Sequence, residues 1–193
     1  MEDQMMIAAI ILAAGQSKRF GRCKQLANFN GKSLLNHAID EVRQAVSGPI
    51  YVVLGASRDE IAPTITTVVE VVVNSNWTSG MGSSIAVGVA CAARQNDLDG
   101  ILIAVCDQVR VTQQDYRHLT DRFDGRSVIS AQYGSANGVP AIFPRSMFSA
   151  LEKLDGEIGA RRILNKESSP VTKIPMDHAG FDVDTPLDLC VAT

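Results

Sequence analysis

Ile7–Leu12 reads I-A-A-I-I-L and runs directly into Ala13-Ala14-Gly15. An unbroken apolar run with no polar alternation, closed by small residues, predicts a strand covered on both faces, as in a parallel sheet. Working outward, Ser33–Val46 places Leu34, Leu35, Ala38, Ile39, Val42 and Val46 at helical spacing, with Ser33 as N-cap and Gly48-Pro49 as stop. Ile50–Leu54 predicts a second strand closed by Gly55, followed by a short helix over Asp59 and Ile61 and a third strand over Val68–Val73. A helix over Ser83–Arg94, a strand over Ile101–Val105 and a helix from Thr112 to Phe123 continue the alternation. Ser127–Gln132 and Val139–Phe143 predict strands around a turn at Gly134–Gly138. Helical material is expected at Ser146–Leu154, at Gly159–Leu164 and from Pro186, with short strands at Val171–Ile174 and Phe181–Val183. Apolar strands alternating with amphipathic helices define a three-layer α/β/α fold around a Rossmann-like, mostly parallel sheet.

The 193 residues suit a single domain, residues 1–193, since one core commonly spans roughly 100–200 residues. Hydrophobic residues make up 46% and charged residues 20%, a balance that argues against disorder. A net charge of -3 supplies no basic face for nucleic acid. Met5–Ala14 is apolar, but acidic Glu2 and Asp3 precede it where a signal peptide is positive, and it is too short to span a bilayer. Cys23, Cys91, Cys106 and Cys190 form no CxxC pair and read as reduced thiols of a cytoplasmic protein. Cys23 lies inside the loop described next. His37, His118 and His178 have no Cys or Glu at metal-ligand spacing and read as structural or solvated.

In such sheets ligands bind beyond the C-terminal ends of the strands. Gly15, Gly55, Asn74 and Asp107 all fall there. Leu12–Lys24 reads L-A-A-G-Q-S-K-R-F-G-R-C-K. The small residues Ala13, Ala14 and Gly15 let the backbone approach a ligand, Arg19 offers a planar fork to phosphate oxygens and Lys24 a compact positive charge. The loop has neither the GxxxxGK[ST] of a Walker A motif nor a GxGxxG dinucleotide fingerprint. Gly80 and Gly82 stand before the predicted Ser83–Arg94 helix, where N–H groups and the Ser83 and Ser84 hydroxyls are either a ligand cradle or plain capping. Trp77, the single tryptophan, is either a core anchor or a cleft wall. Asp107 ends a buried strand, a natural position for a Mg²⁺ ligand, or is an N-cap or surface carboxylate. Asp184, before Thr185-Pro186, is either a second ligand or part of a helix start.

The loop pattern A-A-G-x-S-x-R-F-G-x-x-K resembles the signature of the nucleotidyltransferases built on the molybdenum-cofactor biosynthesis fold. Asn74–Ser84 (N-S-N-W-T-S-G-M-G-S-S), Ile101–Gln108 (I-L-I-A-V-C-D-Q) and Asp182–Asp188 (D-V-D-T-P-L-D) follow in matching order. The combination is most similar to the molybdenum cofactor cytidylyltransferase branch, over essentially the whole chain. That resemblance implies a sheet of the nucleotide-diphospho-sugar transferase type and transfer of CMP from CTP to molybdopterin or the molybdenum cofactor. It implies that Leu12, Ala13, Ala14, Gly15, Arg19, Lys24, Gly55, Gly80, Gly82, Ser83, Ser84 and Asp107 bind the nucleotide, with Arg19, Lys24 and Asp107 catalytic. Asn74, Trp77, Gly138, Pro140 and Arg161 would bind the acceptor, and Asp107 and Asp184 would hold Mg²⁺. A molybdenum hydroxylase or its chaperone would receive the product. Three positions depart from the family pattern: Val109 stands for proline, Val139 for histidine and Glu157 for aspartate. A guanylyl or sugar-phosphate transferase on the same scaffold, and a non-catalytic carrier of the cofactor, are the alternatives.

Overall fold

The computed structural model describes residues 5–157, 159–165 and 171–192. Glu2 and Asp3, and Ile158 between Glu157 and Arg161, lie outside the described residues. In chain order the elements are β1 (Ile7–Ala13), β2 (Asn28–Phe29), β3 (Lys32–Ser33), α1 (Leu34–Arg43), β4 (Ile50–Leu54), α2 (Arg58–Ile61), β5 (Glu70–Val73) and α3 (Met81–Ala92). Then come β6 (Gly100–Val105), α4 (Gln113–Asp121), β7 (Val128–Tyr133), β8 (Ala136–Pro144), α5 (Phe148–Leu151), α6 (Arg161–Leu164), β9 (Val171–Pro175) and α7 (Pro186–Ala192).

Seven strands form one sheet in the order β5-β4-β1-β6-β8-β7-β9, in which β8 alone runs against its neighbours. β1 lies at its centre, which is why its sequence is apolar throughout: all of Ile7–Ala13 is buried. Alternate residues feed opposite layers. Ile7, Ala9 and Ile11 pack with Leu35, Ile39 and Val42 of α1 and with Tyr116 and Leu119 of α4. Ala8, Ile10 and Leu12 pack with Ile85 and Val89 of α3, with Phe148 and Leu151, and with Leu164 of α6. No described helix is long and apolar enough to cross a membrane.

Ser33 caps α1 by accepting the Asn36 N–H, as its position predicts. α4 starts differently. The Asp115 carboxylate reaches back to accept the Thr112 N–H at 2.8 Å and hydroxyl at 2.9 Å, and it pairs with His178 Nε2 at 3.0 Å. Burial opposes ionisation of Asp115, but these donors outweigh it and hold the carboxyl below its usual value. A depressed folded-state pKa contributes stability above the unfolded value that is lost as pH falls through the folded one. Asp115→Ala is therefore expected to cost about 1 kcal/mol near neutral pH and progressively less in acid. Urea unfolding at neutral and acid pH measures this; an equal loss at both contradicts it.

Three expectations are corrected. Phe181–Val183 is not a strand: its Val183 N–H goes to Asp107 O at 2.9 Å, tying it to the end of β6 rather than to a ladder. The turn between β7 and β8 is shorter than Gly134–Gly138, because Tyr133 pairs with Ala136 and Gly138 lies inside β8 opposite Ala131. α3 begins at Met81, two residues before Ser83.

Candidate active site

The loop after β1 is shaped by a residue that sequence reasoning missed. Gln25 is buried, and its Nε2 donates to Ala13 O at 3.0 Å and Gly15 O at 2.9 Å. Its Oε1 accepts from the Ser17 hydroxyl at 3.1 Å and the Cys23 thiol at 3.2 Å. One amide thus holds both flanks of the loop, each buried bond contributing about 1 kcal/mol. Cys23 is turned to this task, and burial pushes its thiol up, away from the thiolate form. Phe20 drops into a small cluster with Ala27, Phe29, Leu34, Val109 and Val183. That cluster joins the loop, the segment after β6 and the segment before α7, so charges from three distant stretches of chain are fixed together.

Lys24 Nζ lies 2.6 Å from Asp107 Oδ2, 3.1 Å from Val183 O and 3.4 Å from Asp184 Oδ1. Arg19 approaches the other oxygen of Asp184, Oδ2, at 2.8 Å from the exposed side. Burial would lower the Lys24 ammonium, but the Asp107 and Asp184 carboxylates outweigh it and raise Lys24 above its usual value. Asp182 is pushed up to about 6, first by burial and then by the charges of Asp107 and Asp184. Asp107 and Asp184 thus share one cation already, and both stay partly open to solvent. Hard carboxylate oxygens with room for phosphate oxygens and water are the donors Mg²⁺ takes, so the residues present fit a divalent cation. Among the described residues no cluster of three or more His, Cys, Asp or Glu side chains has metal-ligand spacing.

These charges border a cavity of about 600 Å³. Leu12, Ala13, Ala14, Gly15, Arg19, Lys24, Asp107 and Asp184 line one side; Trp77, Gly80, Met81 and Ser84 line the other. Gly80 has φ 116°, and a Cβ there would meet the Gly156 carbonyl at 2.5 Å, so only glycine fits. Trp77 is both things the sequence left open, packing on the core with one edge and walling the cavity with the other.

Other residues expected at the nucleotide lie beneath the cavity. Gly55 sits under Trp77, whose Cβ would be 2.6 Å from an added methyl. Gly82 donates its N–H to Gly156 O at 2.9 Å, which removes that donor from any ligand. Ser83 is neither a cradle nor the N-cap: its hydroxyl is within 2.8 Å of Gly80 O and 3.1 Å of Asn76 O. Asn74, expected at the acceptor, is buried and donates to the Ser83 and Ser84 hydroxyls at 2.9 and 3.0 Å. It fixes the orientation of Ser84 from below.

A second cavity of about 390 Å³ shares Met81, Asp107, Glu157 and Asp182 with the first and adds Gln108, Tyr133, Val139 and Arg161. The two cavities meet at the carboxylates. Arg161 borders the second cavity, whereas Trp77 borders the first. Gly138 and Pro140 line neither cavity, since Gly138 lies under the Tyr133 hydroxyl and Pro140 is buried in β8. Of the histidines, His37 packs edge-on against Phe29 and His178 pairs with Asp115, both structural.

A mostly parallel sheet whose strand ends gather an Arg/Lys loop and paired carboxylates at a deep cleft defines a nucleotidyltransferase. The chain belongs to the MobA-like NTP transferase domain family, whose model matches residues 9–171. It is 31% identical to nicotine blue oxidoreductase of Paenarthrobacter nicotinovorans, over 95% of this chain and 94% of the relative. It is 26% identical to a probable molybdenum cofactor guanylyltransferase of Geobacillus sp. (strain WCH70), over 77% and 75% of the two chains. The crystal structure of Rv0371c from Mycobacterium tuberculosis H37Rv superposes with a TM-score of 0.85 at 27% identity, covering 97% of each chain. The same protein in complex with manganese superposes with a TM-score of 0.80 at 25% identity, over 97% of this chain and 98% of that one.

Proposed function

We propose that residues 1–193 form a single nucleotidyltransferase domain that moves CMP from CTP to the phosphate of molybdopterin or the molybdenum cofactor, releasing pyrophosphate. The observation that carries this reading is the convergence of Arg19, Lys24, Asp107 and Asp184 on the first cavity, with Asp107 also lining the second. CTP fills the first cavity and the acceptor the second. An acceptor phosphate oxygen attacks the α-phosphorus, the bond from that phosphorus to the bridging oxygen breaks, and pyrophosphate leaves. The acceptor phosphate is ionised near neutral pH, so no side chain need remove a proton. Arg19 and Lys24 orient the triphosphate and neutralise the leaving group; positioning and charge dominate such displacements. Asp107 and Asp184 would hold Mg²⁺, which when bound draws charge from the phosphate oxygens. A molybdenum hydroxylase or its chaperone is the receiver of the product, and the cytoplasm its place of action.

The base is the finer point. Ala14 is buried and borders the first cavity, where the guanylyl branch resembles itself in carrying glycine. A methyl in the floor disfavours a purine more than a pyrimidine by about 1–3 kcal/mol. The guanylyltransferase name of the Geobacillus relative supports GTP instead. With CTP and GTP at equal concentration, CTP is expected to give faster pyrophosphate release, and Ala14→Gly to narrow the ratio. A preference for GTP overturns the cytidylyl assignment and leaves the transferase standing.

A second reading rests on the Paenarthrobacter relative, which is named an oxidoreductase. Bleaching of nicotine blue by the purified protein with a reduced nicotinamide or flavin donor, without pyrophosphate release from any nucleotide, would establish it.

A further inference from the structure

Lys24 has a placement that a phosphate-binding lysine does not require. Its side chain is only 14% exposed, and the three protons of its ammonium face three acceptors: Asp107 Oδ2, Val183 O and Asp184 Oδ1. Nothing of that ammonium remains free for a phosphate while it stays there. It also sits between the two carboxylates that fit a divalent cation. An ammonium and a divalent ion cannot share that position, because two cations at contact distance repel strongly in a partly buried site. The same lysine borders the first cavity and carries its charge on a flexible four-carbon stem.

We infer that Lys24 is the resident counter-ion of the metal site, exchanged for the metal when nucleotide binds. In the nucleotide-free protein Lys24 neutralises Asp107 and Asp184 and competes with a bare divalent ion. When the metal arrives with a triphosphate, the metal takes the carboxylates and Lys24 transfers to the phosphates. Metal and nucleotide then bind together, because each removes an obstacle to the other: the phosphates attract the ammonium that the metal displaces. Arg19 is not part of the exchange, since it reaches the outer oxygen of Asp184 and is largely exposed. The inference rests on the reading of Asp107 and Asp184 as metal ligands.

The exchange has a consequence of unusual sign. Removing a lysine that merely binds phosphate, held away from the carboxylates, leaves the affinity for bare metal nearly unchanged. Removing a lysine that occupies the metal's place tightens it. Mn²⁺ binding to the nucleotide-free, full-length protein is measured by the loss of the free-ion paramagnetic resonance signal. Lys24→Met, close in length and uncharged, is expected to bind Mn²⁺ at least about tenfold more tightly than wild type. With CTP added, the order reverses and wild type binds Mn²⁺ more tightly. Equal or weaker Mn²⁺ binding by the nucleotide-free variant overturns the exchange, as does an absence of Mn²⁺ binding in both proteins. If Lys24→Met fails to fold, a crystal of wild type with Mg²⁺ and a non-hydrolysable CTP analogue decides. Lys24 is expected on a phosphate oxygen, and a Lys24–Asp107 pair retained beside the bound metal overturns the exchange. The Mn²⁺ measurement needs no acceptor, so the two ideas fail separately. A protein that shows the reversal but transfers no nucleotide keeps the exchange and loses the transferase reading. A working transferase with unchanged Mn²⁺ binding does the opposite.

Discussion

Asp107→Asn is expected to reduce turnover by about a hundred- to a thousandfold while the protein remains folded. The substitution keeps the shape of the side chain and removes its charge. In the native site that charge faces Lys24 at 2.6 Å, at the point where the two cavities meet. An amide oxygen is a poorer partner for a divalent cation, so both metal and triphosphate lose their anchor. The fold should persist because the backbone carbonyl of Asp107 still accepts the Val183 N–H, and Lys24 keeps Val183 O and Asp184 as partners. The measurements are kcat at saturating nucleotide and Mg²⁺, together with circular dichroism. Turnover like wild type at ordinary Mg²⁺ would remove Asp107 from the chemistry.

Lys24→Ala is expected to lower kcat by a similar factor, with a smaller change in the affinity for the nucleoside. Its charge acts on phosphates, and groups of that kind contribute most when charge develops in the transition state. A second effect follows from the unliganded site. Without Lys24, Asp107 and Asp184 lose their shared cation, and the variant is expected to melt earlier than wild type in metal-free buffer. Divalent metal should restore more of its stability than it adds to wild type, because binding to the folded state alone stabilises it. An unchanged kcat would leave Lys24 with a structural ion pair alone.

The elements that the sequence made legible are those governed by periodicity and burial. β1 and β4 are apolar because neighbours cover both faces of the central sheet, and β4 spans Ile50–Leu54 as read. α1 repeats every three or four residues because one side faces that sheet, and its Ser33 cap is local chemistry. The rule that ligands lie beyond the strand ends named Gly15, Gly55, Asn74 and Asp107; Gly15 and Asp107 line the first cavity, whereas Gly55 and Asn74 lie beneath it. What escaped depends on partners distant in sequence. Gln25 looks like any polar loop residue until its bonds to Ala13 O and Gly15 O are seen. Lys24 and Asp107 stand 83 positions apart, and no spacing marks them as a pair. Gly55 was placed at a ligand by its strand end, Gly82 by the helix start after it and Gly138 by the family resemblance, but what approaches them is Trp77, the Asp155–Gly156 backbone and Tyr133. The β2–β3 hairpin had a readable signal in Asn30-Gly31, both at positive φ. Two-residue strands were too short to show alternation beside it.

A chain that joins a nucleotide to a pterin phosphate must release pyrophosphate as it forms the dinucleotide. The direct measurement incubates the purified protein with CTP, Mg²⁺ and molybdopterin, and quantifies pyrophosphate and the mass of the pterin product. Pyrophosphate and a cytidine dinucleotide form of the pterin are expected in equal amounts, both dependent on the acceptor. Absence of pyrophosphate with CTP, GTP and the other nucleoside triphosphates, with molybdopterin and its molybdenum-loaded form both supplied, would contradict the transfer.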